Sequence, residues 1–315
     1  MKPLPLIDDT FIIDNSSLEK FKCPRAWEYS ELNERTPVAA RAGANFGSTI
    51  HRGLETRYKL VSNNAVDAGT QLAIETSMHD WLQEHPQPES DFRNFDHACK
   101  MMRVYNQIYG KEEFRILNNA KDKPIIEASF ALPIGKVQNT QIIYAGKIDL
   151  GISDNNGIWS FDHKTTFQFG ETFSKQMNMD GGQLGYCWAL SQVTGQQPCG
   201  YIIDAIRVRR ASVKAQFTGE APIDMTDFTR TPYWVTPDML DEWKADVLAI
   251  VNEIFICHDL NRFPRHRWQC TNKYGACDFY DVCSTPEAQR NLILDSNLFE
   301  KNTWTKGLKT ESEKE

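Results

Sequence analysis

Asp149, Asp162 and Lys164 are the residues of this 315-residue chain whose types and spacing most directly suggest chemistry. Gln141 to Ile152 and Gly157 to Thr165 are β-rich runs separated by the turn-forming Asp154-Asn155-Asn156-Gly157, so a hairpin is the simplest local structure. Strand side chains alternate between faces, which puts Asp162 and Lys164 on the same one, and Asp149 reaches that edge from across the hairpin. Two carboxylates so placed offer hard oxygen ligands to Mg²⁺ or Mn²⁺, with an ammonium group beside them. In-line attack on a phosphodiester needs a water made nucleophilic and a negative transition state neutralised, and a divalent cation held by Asp149 and Asp162 serves both needs. Lys164 then orients the water or stabilises the developing charge from a fixed position. The D…DxK pattern is degenerate, and a surface hairpin carrying a salt bridge fits it too.

Cysteine supplies a second constellation. Cys270, Cys277 and Cys283 cluster near the C-terminus, and Cys23 lies near the N-terminus in Phe21-Lys22-Cys23-Pro24-Arg25-Ala26-Trp27. Four thiolates suit either structural zinc or an iron–sulfur cluster, and spacing does not separate the two. Disulfides are not expected, because no signal peptide opens the chain and Cys99, Cys187, Cys199 and Cys257 are scattered through core-like segments.

With these residues the chain resembles the RecB-like branch of the PD-(D/E)XK nuclease superfamily. Within it, the resemblance is to the group with a four-cysteine iron–sulfur staple, which includes the AddB nuclease domain, CRISPR-adaptation exonucleases and phage exonucleases. That group places one cysteine before the nuclease core and three after it, here Cys23, then Cys270, Cys277 and Cys283. The segment from Arg262-Phe263-Pro264 through Cys277-Asp278-Phe279-Tyr280-Asp281-Val282-Cys283 is similar to its closing segment. Gly43 to Glu55, with His51 after a stretch of small residues, is similar to its early helix. The resemblance implies that His51, Asp149 and Asp162 ligate Mg²⁺ or Mn²⁺, that the His163 carbonyl adds a ligand, and that Lys164 is catalytic. It implies a [4Fe–4S] cluster on the four cysteines, with zinc as the alternative. The fold it implies is α/β, a restriction-endonuclease-like core whose mixed central sheet is flanked by helices, with the N- and C-terminal segments joined by the cluster. The implied activity is exonucleolytic cleavage of single-stranded DNA ends in recombination, repair, replication or phage genome processing. The alternative is a non-catalytic DNA-binding or assembly subunit. The family's glutamine and tyrosine, four residues apart, are here Gln183-Leu184-Gly185-Tyr186, one residue closer. Residues three apart still share a helix face, so both are carried as DNA contacts, with ordinary core packing against Trp188 and Leu190 the alternative for Tyr186.

The elements that must position these residues follow from local pattern. Ser16-x-x-Glu19 reads as a capping box opening a helix that carries Cys23 and Trp27 toward Asn33. Thr36-Pro37 precedes the His51 helix, whose Phe46, Ile50, Leu54 and Leu60 share one face. Helices are expected over Val66 to Glu84 and Phe95 to Ile116, separated by His85-Pro86-Gln87-Pro88. Strands are expected at Pro124 to Leu132, at the two hairpin arms, at Gly200 to Arg209 and at Thr229 to Val235. Helices fill Ser174 to Val193 and Pro237 to His258. Glu127 either sits near the site or faces solvent, and solvent is the plainer reading.

A hydrophobic content of 41% over 315 residues supports one large α/β domain spanning 1–300, with 1–35 and 260–290 forming the cluster-binding portion and 301–315 a polar tail. No apolar run approaches a membrane span, so a soluble, cytoplasmic protein of a bacterial or phage-infected cell is expected. The net charge of −7 is unusual for a protein that binds phosphates. Basic residues concentrate at Arg207, Arg209 and Arg210 with Lys214, and at Arg262, Arg265 and Arg267 beside Phe263 and Trp268, patches that suit single-strand binding or plain solvation. No nucleotide-binding glycine loop is present, so any helicase activity would come from a partner.

Overall fold

The computed structural model describes residues 4, 6–7, 9–38, 41–60, 66–85, 93–209, 223–272 and 275–301. Its principal strands are β1 (Leu6–Ile7), β2 (Thr10–Ile13), β3 (Arg35–Pro37), β4 (Arg115–Ile116), β5 (Ile126–Val137), β6 (Thr140–Ser153), β7 (Ile158–Thr166), β8 (Gly200–Arg207) and β9 (Phe228–Trp234). The helices are α1 (Asn15–Lys20), α2 (Pro24–Trp27), α3 (Arg41–Leu60), α4 (Ala68–Glu84), α5 (Phe95–Ile108), α6 (Glu171–Asn178) and α7 (Gly181–Thr194), followed by the long helix Pro237–Asp259. The fold class is the expected one, α/β with mixed strand pairing and flanking helices. Contacts divide the chain into two compact units, one of Met1–Arg41, Ser129–Lys147 and Asp241–Glu315, the other of Ala42–Ala128 and Ile148–Leu240.

In the second unit β7 pairs antiparallel with the end of β6 and parallel with β8, and β8 pairs antiparallel with β9. A parallel pair needs a long crossover, and α6 and α7 supply it between β7 and β8. The expected single helix over Ser174 to Val193 is therefore two, because the Asp180 carboxylate turns back to accept the Gly182 N–H at 2.8 Å and starts a new helix. The helix expected to run to Ile116 stops at Ile108, and Arg115–Ile116 instead pairs with β6. Phe46, Ile50, Leu54 and Tyr58 of α3 pack with Met101, Met102 and Tyr105 of α5 and with Leu150, Trp159 and Phe161. Leu60, expected on that face, is exposed. Two glycines permit close approach. A Cβ on Gly47 would meet Thr165 Oγ1 at 3.0 Å, and Gly200, at φ +153°, lies against the Tyr233 carbonyl.

In the first unit β2 runs parallel to the start of β6, burying Phe11, Ile13, Ile142 and Tyr144. Phe255 meets the Phe11 ring edge-on at 5.3 Å, and Trp243 meets Tyr144 at 5.0 Å. Asp14, rather than Ser16, caps α1, accepting from the Ser17 N–H at 2.7 Å. The helix does not continue through Cys23. It breaks at Phe21–Lys22, Cys23 takes the extended N-cap position of α2, and Pro24 occupies the first turn where its missing N–H costs nothing. Trp27 donates to Ser17 Oγ at 2.9 Å and stacks on Phe263 at 5.7 Å. The chain's end returns to its beginning: Phe299–Lys301 pairs with β3, and Arg25 N–H donates to the Pro264 carbonyl at 3.1 Å.

Candidate active site

The second unit assembles the acidic site. Leu54 and Ile50 anchor α3 in the core, which leaves His51 on the flank of the helix, part-exposed. Its Nδ1 lies 3.4 Å from Asp149 Oδ2 on β6 and 3.7 Å from Glu127 Oε1 on β5. One ligand atom from each of the three lies within 4.8 Å of the others. On β7, Lys164 Nζ sits 3.0 Å from Asp162 Oδ2, as strand alternation requires of residues two apart. The His163 main-chain N–H donates to Asp149 Oδ2 at 3.0 Å and ties the two strands together at the site.

Glu127 is the residue that sequence reasoning undervalued. Its backbone holds φ at +46°, a left-handed conformation that costs a non-glycine residue about 1–3 kcal/mol and persists only when its surroundings enforce it. No local pattern signals that conformation, so the strand Pro124 to Leu132 reads as having an ordinary outward carboxylate there.

The electrostatics follow from burying several carboxylates together. Burial pushes the Asp149 carboxyl up to about 6, reinforced by Asp162 and Glu127 against the opposing pull of His51. Burial disfavours the imidazolium of His51, but Asp149 and Glu127 outweigh it and raise its pKa to about 9. Burial likewise opposes the charge on Lys164, and Asp162 overrides that and holds the ammonium firmly protonated. Asp149, Glu127 and Asp162 thus crowd negative charge that His51 and Lys164 only partly balance. One imidazole nitrogen and two carboxylates, each at least partly accessible, fit a divalent cation that would supply the missing charge.

His163 stands apart from that ligand group. Its Nδ1 lies 2.7 Å from Asp204 Oδ2, its side chain is buried, and it is not one of the three residues whose ligand atoms converge. Gln183, expected to face DNA, is wholly buried, and neither its Oε1 nor its Nε2 has a hydrogen-bond partner among the described residues. Tyr186 is half-buried. Arg207 and Arg209 do not form an unopposed basic patch: both pair with Asp227, at 2.8 and 2.6 Å, and Arg209 also pairs with Asp224 at 2.6 Å. Arg210 and Lys214 lie outside the described residues.

The first unit gathers the four cysteines as half-buried free thiols. Cys23 precedes α2, Cys277 N–H donates to the Cys270 carbonyl at 2.8 Å, and Cys283 lies in the short helix Tyr280–Ser284. Arg265 donates to the Cys283 carbonyl at 2.7 Å, and His266 lies 2.7 Å from the Lys22 carbonyl. Burial pushes the Cys277 and Cys283 thiols up, and Cys23 and Cys270 add to it through space.

A mixed sheet whose β6–β7 hairpin presents D…DxK beside a histidine and a further carboxylate defines a class, that of nucleases built around a divalent-cation site. Residues 15–284 match the PD-(D/E)XK nuclease superfamily, and the chain belongs to it. Comparison with curated proteins gives no match. Among the described residues, no helix is long and apolar enough to cross a membrane.

Proposed function

We propose that this chain is a metal-dependent deoxyribonuclease that degrades single-stranded DNA from free ends, with an iron–sulfur cluster of structural role on Cys23, Cys270, Cys277 and Cys283. The observation that carries the catalytic part is the convergence of His51, Glu127 and Asp149 beside the Asp162–Lys164 ion pair. His51, Glu127, Asp149 and Asp162 would hold Mg²⁺ or Mn²⁺, with the His163 carbonyl adding a ligand. When bound, such an ion supplies Lewis-acid stabilisation of the charge that builds on a phosphodiester under in-line attack. Lys164 is held protonated by Asp162, so it acts as a fixed cation and hydrogen-bond donor to water or phosphate rather than as a base. Asp149, half-buried and hydrogen-bonded by the His163 N–H, keeps one orientation.

With Arg207 and Arg209 tied to aspartates, Lys164 with half-buried Tyr186 is the contact set this reading favours. Single-strand ends are carried by the family resemblance, as is the cluster, with zinc the alternative metal. A helicase or recombination partner would supply strand separation, for which this chain has no nucleotide loop. The test is cleavage of end-labelled linear and closed-circular single-stranded DNA by anaerobically purified protein, with Mg²⁺, Mn²⁺ or EDTA, beside Asp162→Ala. Metal-dependent loss of linear DNA alone, by the wild type alone, is the expected result. Cutting of circles replaces exonuclease with endonuclease action, and tight DNA binding without hydrolysis sinks the catalytic reading in favour of a binding subunit. Brown protein with a broad visible absorbance supports iron–sulfur; colourless protein containing zinc overturns it.

A further inference from the structure

Behind the acidic site lies a row of buried and half-buried polar residues of which the sequence reading includes only His163, and that for its carbonyl. His163 of β7, Asp204 of β8 and Arg230 of β9 are direct neighbours in the strand register. His163 Nδ1 is 2.7 Å from Asp204 Oδ2, the Tyr105 hydroxyl donates to the same oxygen at 2.7 Å, and Arg230 Nε donates to Oδ1 at 3.3 Å. A carboxylate so placed accepts from Nδ1–H and thereby fixes the imidazole tautomer. Further back, Arg230 and the fully buried Arg57 share Glu112, at 2.6 and 2.8 Å. Tyr58 stacks on the His163 ring at 5.6 Å.

Such a row is a poor device for stability alone. Removing several charges from water costs several kcal/mol per ion, and well-packed apolar residues of equal volume often do as well or better. What distinguishes it is its front end. The residue whose ring Asp204 grips is the one whose main-chain N–H donates to Asp149 Oδ2 at 3.0 Å.

The geometry points to Asp204 as a positioning residue for the metal site: by holding His163 Nδ1 it fixes the stretch of β7 whose N–H orients the Asp149 carboxylate. Arg230 and Tyr105 keep Asp204 itself in place, and Tyr58 clamps the ring from its face. The role parallels the outer-sphere partners that orient metal-ligating side chains, with one main-chain step between partner and ligand. It rests on the reading of His51, Glu127 and Asp149 as ligands.

The test is Mn²⁺ titration of the whole protein without DNA, following the free-ion electron paramagnetic resonance signal, below the unfolding midpoint of each variant. Wild type should bind and Asp149→Ala should not. Asp204→Ala should weaken Mn²⁺ binding by roughly tenfold or more. His163→Phe, which keeps a ring against Tyr58 and removes Nδ1, should do the same from the other end of the bond. Asp204→Asn, whose carbonyl oxygen still accepts from Nδ1–H, should recover most of the affinity. A purely structural role predicts otherwise: Asp204→Ala would lose stability and bind Mn²⁺ as the wild type does, as Ile74→Ala in the α4 core should. Wild-type affinity in both Asp204→Ala and His163→Phe overturns the positioning role and leaves the ligand set standing. Undiminished binding in Asp149→Ala overturns the ligand set, and the positioning role falls with it.

Discussion

The acidic site and the cysteine segment are both gatherings of potential metal ligands, yet they are built in opposite ways. The residues of the acidic site sit on long regular elements, three strands, two of them a paired hairpin, and a helix of 20 residues anchored by Ile50 and Leu54. Their geometry is enforced by ladders and by core packing that owe nothing to a metal. The cysteines sit at a helix N-cap, at the end of a single 3₁₀ turn, in a loop and in a five-residue helix, with a small apolar cluster of Tyr29, Phe279, Val282 and Leu294 beneath them. There the order comes from a few backbone hydrogen bonds, such as Arg25 N–H to the Pro264 carbonyl. One region is a rigid frame with an excess of negative charge, which a cation completes; the other is short pieces that a cluster would hold together. Metal loss should therefore abolish chemistry in the first and cohesion in the second.

The sharpest way to break that contrast is to mutate each region and measure both properties. Lys164→Ala, like Asp162→Ala, should lower the cleavage rate by on the order of a thousandfold while leaving the thermal midpoint within a few degrees, since each removes charge stabilisation at the reacting phosphate. Full metal-dependent cleavage by Lys164→Ala would count decisively against the site. Cys283→Ser should do the reverse. Iron content and visible absorbance fall, the midpoint drops by roughly 10 °C or more, and the protein that remains folded cleaves within a few-fold of wild type. Loss of activity with no loss of stability would mean that the cluster takes part in the reaction.

A smaller effect sharpens the description of the acidic site, namely its pH dependence. Cation binding requires an ionised Asp149 and a neutral His51, whose pKa values in the metal-free protein are raised to about 6 and about 9. Below 6 both protons must be displaced; between 6 and 9 only that of His51 must leave. Mn²⁺ affinity should therefore rise with pH across the window, by up to about tenfold per pH unit for each proton displaced. The sign for stability is opposite. The raised pKa of His51 stabilises the metal-free fold fully below its unfolded value of 6.5, and this contribution disappears as pH rises through 9. Affinity that is flat from pH 6 to 9 would show that His51 is not a ligand.

What the sequence disclosed tracks how local each feature is. Asp149, Asp162 and Lys164 were legible because a hairpin turn and strand alternation are properties of neighbouring residues. His51 needed the resemblance, since one histidine on an apolar helix announces nothing. Glu127 was undervalued because its placement depends on a positive φ and on a helix far away in the chain. Asp204 had left a signal, a lone carboxylate inside the apolar run Gly200-Tyr201-Ile202-Ile203-Asp204-Ala205-Ile206, which a buried strand tolerates only if the charge is paired. Its partners Tyr105 and Arg230 come from remote segments, so neither the pairing nor the row was readable. Arg207 and Arg209 looked like a basic patch because Asp224 and Asp227 lie beyond a stretch of intervening residues.

The smallest expected effect concerns Gln183, where stability and function should part. Its amide is fully buried in α7 and, among the described residues, neither polar atom has a partner, a burden of about 1–3 kcal/mol by the usual cost of an unmet polar group. Gln183→Met keeps the length and volume of the side chain and removes both polar atoms, so the thermal midpoint should rise by a few degrees at most. If Gln183 reaches DNA when substrate arrives, the same variant should also raise KM on single-stranded DNA, leaving Mn²⁺ affinity untouched. A rise in stability with unchanged KM would make Gln183 an ordinary defect in packing. A fall in stability would mean that buried water satisfies the amide in solution, since a polar cavity of that kind holds water where an apolar one stays dry. The three outcomes rank Gln183 as substrate contact, packing flaw or hydrated core residue, and only the first extends the substrate-binding surface from the acidic site to α7.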